Sequence, residues 1–221
     1  RCVIMNADAL TAPLAPDTPA AAMQAGLRAR ETSTSGFVGL YALDRAFGEL
    51  ACHNIFFPED YRREFDELFR ECRLLSDPAV YISAPSKIDP SQAPAGKEGW
   101  FVLVNAPPLD RHRPGAEEEA RYADFLERRL RALVPGLDDE AILWRDHYAP
   151  AHFDGTYLAW QGSLYGPASN TLRAAFFRAP NRAPKTPGLY FCGGSAHPGG
   201  GIPLVLQSGR MAAEAAAAER A

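Results

Sequence analysis

The sequence predicts an α/β fold, with an α+β region in the middle and α/β character at both ends. Near the start, the short apolar run at residues 2–5 is typical of a buried strand and is followed by the turn formers Asn6 and Asp8. Near the end, an apolar strand at residues 189–192 leads through a glycine-rich turn into an alanine-rich helix from about residue 202 to 220. The stretch between them mixes strand and helix patterns.

Three helices are predicted in this middle stretch from capping residues and apolar spacing. Asp17 is placed to cap a helix over residues 19–30. The segment "PEDYRREFDELFREC" predicts a second helix, whose inner face is expected to hold Tyr61, Phe65, Leu68, Phe69 and Cys72. A third is predicted over about residues 116–134, with an inner stripe of Tyr122, Leu126, Leu130, Leu133 and Val134.

Aromatic and β-branched runs bounded by turn formers predict the strands of the middle region. These runs are "TSGFVGLYAL", "ACHNIFF", "DPAVYISAP", "GWFVLVNAPP" and "AILWRDHY". A proline-rich loop, "SKIDPSQAPAGKEG", separates the third run from the fourth. Residues 150–185 carry many aromatic residues and turn formers and show little periodicity.

Composition argues against several functions. The chain of 221 residues has 23 Lys and Arg against 27 Asp and Glu, and a net charge of −4 does not favour binding to nucleic acid. Its four cysteines are far apart, so we expect neither a metal site nor a disulfide framework, and a reducing cytoplasm fits. No apolar run reaches the ~18 residues that a membrane-spanning helix needs.

The segment "FCGGSAHPGGGIPLVLQSGR", residues 191–210, is predicted to cradle a ligand. Glycines let a ligand approach the backbone closely, and the start of a helix favours negative charge. A phosphate-binding Walker loop is excluded because Ile202 and Pro203 follow the last glycine, and a hydrolase elbow is excluded because His197 stands two residues after Ser195. A tight turn without a ligand is the alternative.

This segment closely resembles the C-terminal signature of bacterial-type phytoene desaturases and other carotenoid dehydrogenases, which are FAD-dependent oxidoreductases. In that family an apolar strand is followed by Gly, two small residues, Thr or Ala, and then His-Pro-Gly-small-Gly-aliphatic-Pro. Residues 193–203 match this pattern in sequence. The resemblance extends to the stretches "NADA", "HNIFFPEDYRREFDELF", "DPAVYISAPSKIDPSQAPAG", "WFVLVNAPP" and "GSLYGP".

Proteins of this family are about twice as long and carry the glycine fingerprint for the ADP part of FAD in their N-terminal half. The resemblance therefore implies that the chain is the C-terminal half of such an enzyme, with the N-terminal half as its partner. It would contain a returning strand of the FAD-binding domain (residues 1–12) and an α+β substrate-binding domain (residues 13–186). The final strand, glycine turn and helix of the FAD/NAD(P)-binding domain would occupy residues 187–221.

The resemblance also implies a cofactor and a set of residues to hold it. Hydride would pass from a long apolar polyene to N5 of the flavin. Gly200, Gly201 and Ile202 would lie at the ring, while Gly193 and Gly194 would follow the ribityl chain. Ser195 completes the expected cofactor-binding set.

Desaturation also releases a proton, for which the sequence offers three acidic or basic candidates. Asp89 lies in the proline-rich loop, where an Asp that caps a turn is the alternative reading. His197 adjoins the glycine turn and would either relay a proton or hold the turn by hydrogen bonds. Asp154 is a third and weaker candidate, since an Asp there also suits a helix cap.

The family implies a phytoene- or hydroxy/methoxyneurosporene-type substrate, a cytoplasmic location and peripheral contact with the inner membrane face. Phe153, Tyr157, Trp160 and Tyr165 suit either a polyene tunnel or ordinary core packing. The chain departs from the family at Leu204, where a small residue is usual, which puts the substrate and the position of desaturation in doubt. Two alternatives remain open: a related flavin oxidoreductase with a non-carotenoid substrate, and a non-catalytic fragment or assembly subunit.

Overall fold

The computed structural model describes residues 2–170 and 178–219. Contacts divide the chain into two compact units. The terminal unit contains residues 1–34 and 152–221, and the central unit contains residues 35–151. These boundaries differ from the sequence-based division at 12/13 and 186/187, because residues 13–34, 152–170 and 178–186 group with the two ends of the chain.

The terminal unit is built on a pair of parallel strands. Strand β1 (Val3–Met5) lies beside the last strand, β7 (Leu189–Phe191), with Ile4 opposite Tyr190. Helix α1 (Pro19–Arg28), most of helix α4 (Pro150–Tyr157) and helix α5 (Ile202–Ala218) complete it. Tyr190 and Phe191 are fully buried and anchor two apolar clusters, one with α5 and one with the segment after β1.

The central unit is an antiparallel sheet with the strand order β3-β4-β5-β2-β6. Its strands are β2 (Ser35–Leu43), β3 (His53–Phe56), β4 (Val80–Ser83), β5 (Glu98–Ala106) and β6 (Ile142–Tyr148). All five predicted strand runs are present. Side chains alternate along β5, where Trp100, Val102 and Val104 are buried and Phe101 is exposed.

Helix α3 (Ala116–Leu133) covers this sheet with the predicted stripe. Tyr122, Leu126 and Leu130 are buried in one cluster with Phe37 and Trp100. Three glutamates, residues 117–119, occupy the first turn, where the helix dipole favours negative charge. The 3.6-residue period of the sequence therefore identified both this helix and its buried face.

The inner face predicted for the second helix is wrong at its aromatic positions. Helix α2 (Tyr61–Phe65) continues as a π-helical turn (Asp66–Glu71), and the buried residues of this stretch are Glu64, Glu67 and Leu68. Tyr61, Phe65 and Phe69 are exposed and stack in a row, with ring centroids 5.1 and 5.8 Å apart. The two glutamates turn inward because they accept hydrogen bonds from the backbone N–H groups of Ala79 (2.8 Å) and Ser76 (2.7 Å).

The cap of α1 also differs from the prediction. Thr18, not Asp17, is the N-cap, and its Oγ1 accepts a hydrogen bond from the backbone N–H of Ala21 at 3.1 Å. Asp17 itself adopts a left-handed backbone conformation with φ of 61°. Within the described residues, no helix is both long enough and apolar enough to cross a membrane.

Replacing Glu67 by alanine is expected to lower the free energy of unfolding by about 2–4 kcal/mol. Its side chain is 1% exposed, and its removal leaves the N–H and hydroxyl of Ser76 without their acceptor. Glu71 is the matched control, since it pairs with the same Arg63 and Arg73 but is 38% exposed. Glu71→Ala should cost less than about 1 kcal/mol in denaturant unfolding, and equal losses would contradict this account.

The stabilisation by Glu67 should depend on pH. Burial raises the pKa of this carboxyl, but the Ser76 hydrogen bonds and the charges of Arg73 and Arg63 outweigh it and hold the pKa below its usual value. A carboxyl with a lowered pKa in the folded state contributes stability above its unfolded pKa and loses it as pH falls through the folded value. The difference between wild type and Glu67→Ala, measured by denaturant unfolding, should therefore shrink below about pH 4.

Candidate functional site

The candidate site lies where the parallel strands β1 and β7 end. Both strands run in the same direction, so the turn after Met5 and the glycine turn after Phe191 open at the same edge. In α/β sheets, ligands bind in the crevice outside the carboxyl ends of the strands. Whether the glycine turn can bind a ligand therefore depends on the geometry at this edge.

Hydrogen bonds fasten the two turns to each other. The backbone N–H of Cys192 donates to the carbonyl of Met5 at 3.0 Å. The Oγ of Ser195, which is buried, accepts a hydrogen bond from the backbone N–H of Ala9 at 2.8 Å. Ser195, predicted to bind the cofactor, thus has a structural role in joining the turns.

A glycine is required at position 193 because the side chain of Asn6 lies close to its backbone. Gly193 has a φ of +106°, and a Cβ there would lie 2.6 Å from Oδ1 of Asn6. Its N–H donates to Oγ of Ser208 in α5 at 3.1 Å. The first glycine of the turn therefore lets the turn after β1, the turn after β7 and α5 meet.

The buried amide of Asn181 ties the glycine turn to α5. Its Nδ2 donates to the carbonyl of Phe191 (3.1 Å), to the carbonyl of His197 (2.9 Å) and to Oγ of Ser208 (3.2 Å). Neither Asn181 nor Ser208 was predicted from the sequence. A polar residue in a loop and a serine in an alanine-rich helix give no periodic signal of burial.

The start of α5 presents its backbone to the surface. Gly201 is the N-cap with a φ of +97°, and no atom lies within 4 Å of the position of its missing Cβ. Ile202 begins the helix and is exposed, and Pro203 follows in the first turn, as predicted. The first N–H groups of a helix have no partner within the helix, so this end attracts negative charge.

Gly200 differs from Gly201, because another side chain already occupies the space where its Cβ would lie. A Cβ on Gly200 would lie 2.6 Å from the ring of Tyr165, whose side chain is partly exposed. At Gly194 the nearest atoms would be 3.8 Å away, which is ordinary contact. Open space is thus found beside Gly201, a Cβ at Gly194 would make ordinary contacts, and Gly193 and Gly200 accommodate neighbouring side chains.

A cavity of about 160 Å³, the strand-end crevice, opens between the two turns. Its lining includes Asn6, Tyr157, Ser163, Tyr165, Gly194 and Ser195. Ser163 is 3% exposed, and its Oγ has no hydrogen-bond partner among the described residues. A buried hydroxyl without a partner costs free energy, so the crevice is suited to a ligand that brings a polar group to Ser163.

A second cavity, of about 330 Å³, lies on another side of the turn. We call it the Arg178 pocket, and its lining includes Arg178, Tyr165, Gly199, Gly200 and Leu204. Tyr165 lines both cavities. Leu204, the departure from the family pattern, lines the second.

The two principal proton-transfer candidates lie in different units. Asp89 belongs to the central unit and caps a short helical turn, accepting hydrogen bonds from N–H (3.0 Å) and Oγ (2.7 Å) of Ser91. The capping alternative is therefore confirmed. These bonds, with a further one from Gln92, hold the pKa of its carboxyl below the usual value.

His197 lies in the glycine turn and is held by its backbone. Its N–H donates to the carbonyl of Ala179 at 2.8 Å, and its carbonyl accepts from Asn181. The ring forms no hydrogen bond with any residue in the described ranges. The backbone of His197 therefore stabilises the turn, and its imidazole is available for another role. Asp154, the weaker candidate, is partly buried in α4.

Alanine at Gly193 is expected to lower the free energy of unfolding by about 1–3 kcal/mol, since it combines a left-handed backbone with a clash against Asn6. Gly194→Ala is the matched control and should remain within about 0.5 kcal/mol of wild type, because its backbone and surroundings accept a Cβ. Denaturant unfolding without added cofactor measures both. Similar losses of unfolding free energy in the two variants would show that Asn6 does not pack against Gly193 as described.

No family model matches the chain, but individual proteins do. It is 39% identical over 184 residues to a 4,4'-diapolycopene oxygenase of Methylomonas sp., a match that covers 82% of this chain and 37% of that protein. It is 37% identical over 220 residues to a hydroxyneurosporene desaturase of Rubrivivax gelatinosus, covering 96% of this chain and 40% of the relative. A zeta-carotene-forming phytoene desaturase of Myxococcus xanthus is 33% identical over 186 residues, covering 82% and 35%.

The fold is also found in a solved structure. An oxidoreductase from Methanosarcina mazei superposes with a TM-score of 0.53 at 16% identity, covering 96% of this chain and 42% of that one. This likeness concerns the fold alone. The chain spans between about a third and two fifths of the length of the curated relatives named above. Identities of this size over most of the chain nevertheless establish its kinship, and the chain belongs to the family of carotenoid desaturases and oxygenases.

Proposed function

We propose that the protein is an FAD-dependent oxidoreductase that desaturates a carotenoid, with the flavin held at the glycine turn. The observation that carries this proposal is the strand-end crevice. Its wall combines a buried hydroxyl without a partner among the described residues, on Ser163, with the backbone of Gly194. When bound, FAD would supply the two-electron acceptor for a hydride from the substrate.

The residues present fit such a group. Gly201 has open space beside it, Ile202 is exposed, Gly194 lines the crevice, and Ser163 offers a hydroxyl. Gly193, Ser195 and Gly200 support the cradle from within, through Asn6, Ala9 and Tyr165. A favourable interaction of negative charge with the exposed start of α5 would contribute ~0.3–2 kcal/mol.

A proton must also leave the substrate, and His197 and Asp89 are the residues we propose for it. The imidazole of His197 is next to the cradle and makes no hydrogen bond with a described residue, so a ring nitrogen is free to accept a proton. The carboxylate of Asp89 is already engaged with Ser91, and its lowered pKa makes it the weaker base.

The names of the relatives support a polyene as the substrate class, since they act on diapolycopene, neurosporene derivatives and phytoene. Tyr157 and Tyr165 are exposed at the strand-end crevice and suit contact with an apolar chain. Trp160 packs against the terminal-unit core, and the guanidinium of Arg28 lies 4.7 Å from its ring centroid. Trp160 therefore supports the fold, while the two tyrosines are the better candidates for substrate contact.

The identity of 39% to a diapolycopene oxygenase favours a second candidate function, oxygenation of a carotenoid end group. Product analysis separates the two. Desaturation removes two hydrogen atoms and lengthens the absorbing polyene, whereas oxygenation adds mass from molecular oxygen. Peripheral membrane contact, and pairing with the N-terminal half of the same enzyme, which would hold the ADP part of FAD, are further proposals.

Ser163→Ala is expected to weaken FAD binding by about 3- to 10-fold, the effect of losing one hydrogen bond. Ser86→Ala is the matched control, because Oγ of Ser86 is also buried without a partner among described residues but belongs to the central unit. Titration of FAD against the protein in its native full length measures both. If the wild type takes up no FAD, or if Ser163→Ala binds like Ser86→Ala, the proposed cradle is wrong.

His197→Gln is expected to reduce the rate of desaturation by about 100-fold while FAD remains bound, because a proton acceptor contributes roughly that factor. Asp89→Asn preserves the cap of its turn and should change the rate by much less. Turnover of a carotenoid, followed by the absorbance of the product, distinguishes them. If Asp89→Asn lowers the rate of desaturation more than His197→Gln does, Asp89 and not His197 is the proton acceptor.

A further inference from the structure

Arg178 is a buried cation directly behind the glycine turn. The residue is 9% exposed, and its guanidinium donates to four neutral acceptors. Nη1 donates to the carbonyls of Tyr165 (2.8 Å) and Gly194 (3.1 Å). Nη2 donates to Oγ of Ser169 (2.7 Å) and to the carbonyl of Pro167 (3.4 Å).

No acidic side chain in the described part of the chain pairs with this guanidinium. Among residues 2–170 and 178–219, no Asp or Glu forms an ion pair with Arg178. The residues outside these ranges contain no Asp or Glu in their sequence. Burial lowers the pKa of Arg178, but an arginine starts far above neutral pH and stays charged.

An unpaired buried charge is costly, and proteins retain such a charge mainly where something else balances it. Arg178 lies in the wall of the Arg178 pocket, together with Gly199 and Gly200. A Cβ on Gly199 would lie 3.1 Å from Nε of Arg178, so the cation lies against the backbone of the turn. The cation therefore lies against the turn that forms the cradle, and its Nη1 donates to the carbonyl of Gly194, which lines the strand-end crevice.

We propose that Arg178 is the counter-charge for the negative charge that the bound flavin gains on reduction. This inference rests on the proposed function and adds a residue that sets the reduction potential. Arg178 acts through the carbonyls of Tyr165 and Gly194 and through its field, so it is a positioning residue. Because the site is partly shielded from water, one charge there has a larger effect on the flavin than a surface charge would.

Arg182 differs from Arg178 in both exposure and charge pairing. It belongs to the same loop, but its side chain is 63% exposed and forms an ion pair with Glu219. Its charge is therefore compensated and screened by water. Replacing Arg182 changes the net charge by the same amount as replacing Arg178, which makes it a matched control.

The test measures the reduction potential of the flavin bound to the protein in its native full length. Arg178→Gln should shift the equilibrium towards the oxidised flavin by about tenfold, which is roughly 30 mV for a two-electron couple. Arg178→Lys keeps the charge, so it should remain close to wild type, as should Arg182→Gln. A purely structural role would alter FAD affinity or stability and leave the potential of the bound flavin unchanged.

A second pair of variants does not disturb the buried side chain. Ser169 is exposed and accepts a hydrogen bond from Nη2 of Arg178, so Ser169→Asp would place a carboxylate beside the guanidinium. We expect Ser169→Asp to lower the potential in the same direction, and Ser169→Asn to leave it near wild type.

The outcomes separate the two proposals. If the wild type binds FAD but neither Arg178→Gln nor Ser169→Asp lowers its potential, the role of Arg178 is refuted and the cradle stands. If Arg178→Lys shifts the potential as far as Arg178→Gln, charge is not the cause and the inference is also refuted. If the wild type binds no FAD, the proposed function fails and the inference fails with it.

Discussion

The hydrogen bond from the Ala9 N–H to Oγ of Ser195 joins the two turns on which the candidate site depends. Because β1 and β7 are parallel and adjacent, their turns open at one edge, and this bond fixes how closely they approach. Gly193 must be a glycine because Asn6 occupies the space beside it. The strand-end crevice opens at this junction, with Asn6, Gly194 and Ser195 in its wall.

Part of the fold is encoded locally and was predictable from the sequence. The stripe of α3, the alternation along β5 and the strand–turn–helix at the C-terminal end all follow from short-range periodicity and turn formers. The face of α2 was not predictable in this way. Its buried Glu64 and Glu67 are stabilised by N–H groups of a loop that lies 9 to 15 residues away in sequence, and no local pattern reveals that compensation.

The candidate site, like the fold, was predictable from the sequence only in part. The glycine pattern located the turn, but it did not separate glycines that make room for a ligand from glycines that make room for Asn6 or Tyr165. Asn181, Ser208 and Ser163 were missed because a polar side chain becomes informative only when its burial and partners are known. Two groups beside this turn lack a match among the described residues: the hydroxyl of Ser163 has no hydrogen-bond partner, and the charge of Arg178 has no acidic partner.

The most direct test of the central claim is a crystal structure of the protein in its native full length with FAD bound. The account predicts the flavin against Gly194 and the start of α5, with one of its polar atoms within hydrogen-bond distance of Oγ of Ser163. A flavin bound elsewhere, with the strand-end crevice closed by Tyr165 and Ser163 still without a partner, would contradict it.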